Sequence, residues 1–133
     1  MTTGKKILMI DDDVNLVNVF RLVCEAKGYH FSAAYSAREG LQKIRDVEPD
    51  LIILDVIMED FVAGFRVVSE LRAGDSGSAY AAYSRIPILM LTSVTTKTNV
   101  DFKDRVRTAR LPVDAYMQKP PKPRDILPRI DAM

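Results

Sequence analysis

Three short apolar runs in this chain, and one weaker strand candidate near its end, are each followed at once by residues able to do chemistry. Asp11, Asp12 and Asp13 follow Lys6–Ile10, Asp55 follows Leu51–Leu54, Thr92 and Ser93 follow Ile88–Leu91, and Lys119 follows Ala115–Gln118. Carboxylates gathered in one place repel one another unless a hard cation neutralises them, and oxygen ligands of this kind suit Mg²⁺. An ammonium and a hydroxyl nearby complete a pocket for a dianionic phosphoryl group, with the cation and Lys119 balancing charge during in-line transfer. The alternative is ordinary helix capping by Asp11–Asp13 with an incidental Asp55. Thr92 and Lys119 at corresponding strand ends weigh against it.

For those residues to meet, the runs must be neighbouring strands of one sheet. Uninterrupted apolar runs bounded by polar turns are what strands covered on both faces look like. His30–Tyr35 and Ala115–Gln118 are weaker strands, which makes five. Helical spacing fills the intervals. Val17, Phe20 and Cys24 stripe Val14–Lys27, with Gly28 placed to end that helix. Ser36-Ala37-Arg38-Glu39 forms a capping box for a helix running to about Asp46, with Leu41 and Ile44 as its apolar stripe. Gly64–Ala73 carries Phe65, Val68 and Leu71, followed by a Gly/Ser-rich loop over 74–78. A helix within Thr92–Arg110 is weakly encoded, and the terminal one, Arg124–Met133, is limited by Pro123 and Pro128. Alternating strands and helices imply a doubly wound α/β fold with a parallel sheet, whose ligands bind beyond the carboxyl ends of its strands.

The 133 residues suffice for one domain with one core, so 1–133 is expected to be a single unit. Nineteen basic against eighteen acidic residues, a formal charge of +1, do not point to nucleic acid or an anionic membrane. The only cysteine, Cys24, and the only histidine, His30, exclude an internal disulfide and a Cys/His zinc site. With no apolar stretch long enough for a leader or a span at the start, the expected setting is cytoplasmic. Cys24 and the strand methionines are expected to fill the core, and His30 to sit at a strand end.

Through Ile10-Asp11-Asp12, Leu54-Asp55-Val56-Ile57-Met58, Met90-Leu91-Thr92-Ser93 and Tyr116-Met117-Gln118-Lys119-Pro120, the sequence resembles the response regulator receiver family of two-component systems. The resemblance implies a flavodoxin-like (βα)5 fold with strand order 2-1-3-4-5. It implies that Asp11 and Asp12, an Asp55 oxygen and the Ile57 carbonyl hold Mg²⁺, leaving Asp13 as a helix cap. Asp55 would take a phosphoryl group from the phosphohistidine of a sensor histidine kinase or phosphotransfer protein, while Lys119 and the Thr92 hydroxyl contact phosphate oxygens. Thr92 and Tyr116 would then rearrange to present a new face to an output domain or protein, or to a second copy in a phosphorylation-dependent homodimer. Such a chain is not an enzyme beyond promoting its own aspartyl phosphorylation and dephosphorylation, and it touches neither DNA nor membrane directly.

Departures from the family pattern lie at Glu59, where Pro is usual, at Gly64, one residue late, at Pro121, and at Leu111-Pro112-Val113. They single out the loop after Asp55, with Glu59 and Asp60, and the face around Thr95–Arg110 and Tyr116. Two other readings remain: a receiver-like docking module that no longer cycles phosphate, and an aspartyl-phosphate phosphatase. The phosphatase would need Asp two residues after Asp55, where Ile57 stands. A nucleotide-binding reading lacks any Gly-x-Gly-x-x-Gly or Gly-x-x-x-x-Gly-Lys-Ser/Thr run.

Overall fold

The computed structural model describes residues 4–55, 63–72, 83–93, 113–119 and 121–133. Five strands, β1 (Lys6–Ile10), β2 (His30–Ala34), β3 (Leu51–Asp55), β4 (Ile88–Ser93) and β5 (Ala115–Lys119), form one parallel sheet in the order β2-β1-β3-β4-β5. The described helices are α1 (Val14–Ala26), α2 (Ala37–Val47), α3 (Ala63–Arg72) and α4 (Pro123–Asp131).

Side chains alternate across a strand, and the sheet sorts them into two cores. Leu8, Ile10, Ile52, Leu54, Ile88 and Met90 face α2 and α3, joining Ile44, Val67, Val68 and Leu71. Ile7, Met9, Leu51, Ile53, Leu89 and Leu91 face the other way, joining Val17, Phe20 and Cys24 of α1 and Ile126 and Ile130 of α4. Each of these residues is essentially inaccessible to solvent, so both faces of the central strands are buried, as their uninterrupted apolar sequence requires.

Local chemistry fixes where the helices start and stop. Asp13 caps α1 by accepting the Asn15 and Leu16 N–H groups, and Gly28, at φ 92°, turns the chain back toward β2. Ser36 Oγ accepts the Glu39 N–H at 3.1 Å, but Glu39 reaches back to the Tyr35 N–H at 2.6 Å, one residue earlier than a standard capping box. Gly40 lets α2 lie against β1: a Cβ there would fall 2.6 Å from Ile10 Cδ1. Strand starts are capped as well, Asp50 accepting the Lys6 N–H and Asp114 the Ile88 N–H.

Several boundaries differ from those read in the sequence. Strands β3, β4 and β5 extend through Asp55, Ser93 and Lys119, so three of the chemical residues end strands instead of following them. The terminal helix begins at Pro123 and continues past Pro128 to Asp131. Pro123 is tolerated at the first position, where its missing N–H would be unpaired in any case. Helix α3 buries Val67 beside Val68 and Leu71, and the Phe65 side chain lies outside the described set. The loop over 74–78, the helix expected within Thr92–Arg110, and Ile57, Met58, Glu59, Asp60, Leu111 and Pro112 lie outside the described residues, as does Pro120.

Candidate functional site

Register carries the acidic residues to one place. Ile10 pairs with Leu54 across β1 and β3, so the next residue of each strand, Asp11 and Asp55, emerges side by side at the carboxyl edge. On the far side of β3, Asp55 pairs with Leu91, and Ser93 pairs with Lys119. One carboxylate oxygen from each of Asp11, Asp12 and Asp55 lies within 4.8 Å of the others. Asp11 is fully buried, Asp55 is 2% exposed, and Asp12 faces solvent.

Asp11 is held by its surroundings. Its backbone N–H donates to the Ala34 carbonyl at 3.0 Å, and its Oδ1 accepts the Asp13 N–H at 2.9 Å. Lys119 Nζ reaches between the two buried acids, 2.9 Å from Asp11 Oδ2 and 3.1 Å from Asp55 Oδ2. The contact at Asp11 Oδ2 is an ion pair, and that buried oxygen has no hydrogen-bond partner. Burial pulls the Lys119 pKa down, yet the close approach and negative charge of Asp11, then of Asp55, outweigh it and hold the ammonium above the ordinary lysine value.

Three carboxylates against one ammonium leave surplus negative charge in a largely buried corner. Buried charge is costly unless paired or bound to a metal. The donor set is all oxygen, one acceptor is unsatisfied, and the oxygens lie close enough to share one ion, so the cluster fits a hard divalent cation such as Mg²⁺.

Of the residues singled out by sequence, the fold brings together Asp11, Asp12, Asp55 and Lys119. It places the Thr92 backbone on β4 opposite Gln118, and the Thr92 side chain is outside the described set, as is Ile57. Tyr116 is half-buried and packs against the core shared with α2 and α3. Asp13 is a helix cap. Cys24 is buried in the α1 core and His30 is exposed at the start of β2. The direct Lys119–Asp11 pair was not legible beforehand, because nothing in the sequence shows that a lysine on β5 reaches past two strands.

A family model for the response regulator receiver domain matches residues 7–131. The chain belongs to the response regulator receiver family. Among curated proteins, this receiver is 34% identical over 130 residues to the alkaline phosphatase synthesis transcriptional regulatory protein PhoP of Bacillus subtilis, covering 98% of the receiver and 48% of PhoP. It is 31% identical over 131 residues to the DNA-binding response regulator MtrA of Mycobacterium tuberculosis, covering 98% of the receiver and 51% of MtrA. The receiver thus spans about half the length of these relatives. Among solved structures, the chemotaxis response regulator CheY4 of Vibrio cholerae superposes with a TM-score of 0.79 at 25% identity, covering 98% of both chains. A CheY-like receiver domain protein of Methanospirillum hungatei gives 0.73 at 27% identity, covering 97% of this chain and 92% of its own. The receiver therefore has the flavodoxin-like order of strands expected from its motifs.

Proposed function

We propose that this receiver accepts a phosphoryl group on Asp55 from the phosphohistidine of a sensor histidine kinase or phosphotransfer protein. The observation that carries the reading is the position of Asp55: a strand-end carboxylate, 2% exposed, faced by Lys119 at 3.1 Å and clustered with Asp11 and Asp12. An Asp55 oxygen attacks phosphorus in line, the bond to the donor imidazole nitrogen breaks, and an acyl phosphate forms. Lys119 already lies where it can contact a phosphate oxygen, and its raised pKa keeps it cationic throughout. Thr92, one residue before the end of β4, is assigned to a second phosphate oxygen and to the movement that carries the signal, with Tyr116 on the adjoining strand.

Asp11, Asp12 and Asp55, with the Ile57 carbonyl, are assigned to Mg²⁺. When bound, the ion supplies positive charge that lets an anionic nucleophile approach an anionic phosphoryl group. The chain's reaction is confined to forming and losing its own acyl phosphate, so we assign it no turnover of an external substrate.

The PhoP and MtrA names describe a transcriptional regulator and a DNA-binding protein. For this chain we assign no DNA contact to residues 7–131, because nineteen basic against eighteen acidic residues carry almost no net positive charge for phosphate neutralisation. Among the described residues, no helix is long and apolar enough to cross a membrane.

Incubation with Mg²⁺ and a small acyl-phosphate donor tests the assignment, read by intact mass. One added phosphoryl group, dependent on Mg²⁺ and absent from Asp55→Asn, is the expected result. A folded, Mg²⁺-binding protein that takes no phosphoryl group from either the small donor or a phosphorylated kinase would instead be a docking receiver.

A further inference from the structure

The outer edge of β2 is closed by side chains of α2. In a strand the backbone groups of alternate residues point to opposite neighbours. His30 donates its N–H to Lys5 and the Ala34 carbonyl accepts from Asp11, so residues 30, 32 and 34 address β1. Phe31, Ala33 and Tyr35 therefore direct their N–H and C=O groups away from the sheet, at its free edge. Two side chains of α2, one turn apart, occupy that edge. Glu39 Oε1 accepts the Tyr35 N–H at 2.6 Å, and Lys43 Nζ donates to the Ala33 carbonyl.

We propose that the outer edge of β2 is a latent strand-addition surface for a second copy of this chain, held closed by Glu39 and Lys43. The occupant follows from symmetry. His30-Phe31-Ser32-Ala33-Ala34 contains no acidic residue, lysine, arginine or proline, and antiparallel pairing centred on Ser32 sets Phe31 of each copy opposite Ala33 of the other. Both residues direct their groups outward, so the pairing closes as two matching hydrogen-bonded pairs. Each pair uses the Ala33 carbonyl, the atom that Lys43 holds. A charge-assisted bond from the same chain competes with a neutral bond from a second one, and the intramolecular contact has no association cost. Lys43 thus guards the acceptor and Glu39 the adjoining donor, while the ammonium itself repels a second copy approaching the same edge. This surface lies on the strand farthest from β5 and does not depend on the phosphoryl chemistry.

Lys43→Met keeps most of the side-chain stem and removes the donor and charge, whereas Lys43→Arg keeps both. Sedimentation over a concentration series should show Lys43→Met associating about tenfold more tightly than wild type, with Lys43→Arg matching wild type. Amide exchange should slow at Phe31 and Ala33 of Lys43→Met as concentration rises, which separates β2 pairing from association through any other face. A Lys43→Met protein that retains the wild-type thermal midpoint and shows neither tighter association nor concentration-dependent protection at Phe31 and Ala33 overturns the proposal.

Discussion

Lys119 Nζ lies 2.9 Å from Asp11 Oδ2 although β3 and β4 stand between their strands in the sheet. The lysine spans the carboxyl edge, and its charge is shared between Asp11 and Asp55. It occupies the corner where a divalent cation and a phosphoryl group would add their own charges.

Removing that ammonium leaves two buried carboxylates with less compensation. Breaking a buried pair by deleting one partner costs about 3–5 kcal/mol when nothing replaces it. Lys119→Met is therefore expected to lose about 3 kcal/mol of stability in EDTA, and to recover part of it in Mg²⁺. Chemical denaturation under both conditions checks this. An identical deficit with and without Mg²⁺ would separate Lys119 from the metal cluster.

Asp12 differs from its neighbours because it is exposed, so it can be altered at little structural cost. Wild-type protein should gain about 2.7 kcal/mol at Mg²⁺ a hundredfold above its dissociation constant. Asp12→Asn should keep its metal-free stability within about 0.5 kcal/mol and lose most of that gain. Thermal melts across a Mg²⁺ titration measure both quantities. Equal Mg²⁺ shifts in the two proteins would remove Asp12 from the ligand set.

Much of this arrangement was legible in the sequence because parallel strands buried on both faces leave a simple signature. Lys6–Ile10 and Leu51–Leu54 read as strands covered on both faces, and the residues after them were expected to converge on one edge. Asp13 as the cap followed from the resemblance, which assigned Asp11 and Asp12 to the metal and left Asp13 to the helix. Long-range reach was not legible. The path of Lys119 to Asp11 depends on side-chain geometry across the sheet, and Lys43 closing the Ala33 carbonyl depends on how α2 lies over an edge strand. The continuation of α4 past Pro128 was obscured for another reason. Two apolar anchors, Ile126 and Ile130, hold the helix on its core and override a local helix breaker.

Close approach of α2 to β1 gives a test of packing. A methyl at Gly40 would meet Ile10 at 2.6–2.9 Å on three side-chain atoms, Cδ1, Cγ1 and Cγ2. Alanine improves intrinsic helix propensity by about 1 kcal/mol, but overpacking costs about 1–3 kcal/mol. Gly40→Ala should thus be neutral to destabilising by up to about 2 kcal/mol. Combined with Ile10→Val, which removes Cδ1, it should cost less than the two single changes added together. Strict additivity in denaturant titrations would show that the backbone moves aside instead.

The end of the same helix carries strain of a different kind. Glu48 sits at φ 52°, the left-handed region that side chains disfavour and glycine does not. Glu48→Gly should raise stability by about 1 kcal/mol with the fold unchanged. A loss of stability would mean that the Glu48 side chain contributes more than its backbone strain costs.

Cys24 supplies the pH test. Burial, then the charges of Asp131 and Glu25, push its thiol from 9.0 up to about 12. The unfolded chain therefore releases this proton first. The thiol's contribution to stability is complete below pH 9.0 and is lost as pH rises toward about 12. Lys119, also held above its ordinary value of 10.5, has the same sign: its ion pairs contribute fully below that pH and fade above it. Cys24→Ala retains the Lys119 loss and lacks the thiol's, so its stability should fall less steeply between those limits. Folded wild-type protein at pH 8 should also react with a thiol reagent only as fast as it opens, and fully once denatured. Rapid labelling under native conditions, or identical alkaline slopes for wild type and Cys24→Ala, would show that Cys24 is not sealed in the α1 core.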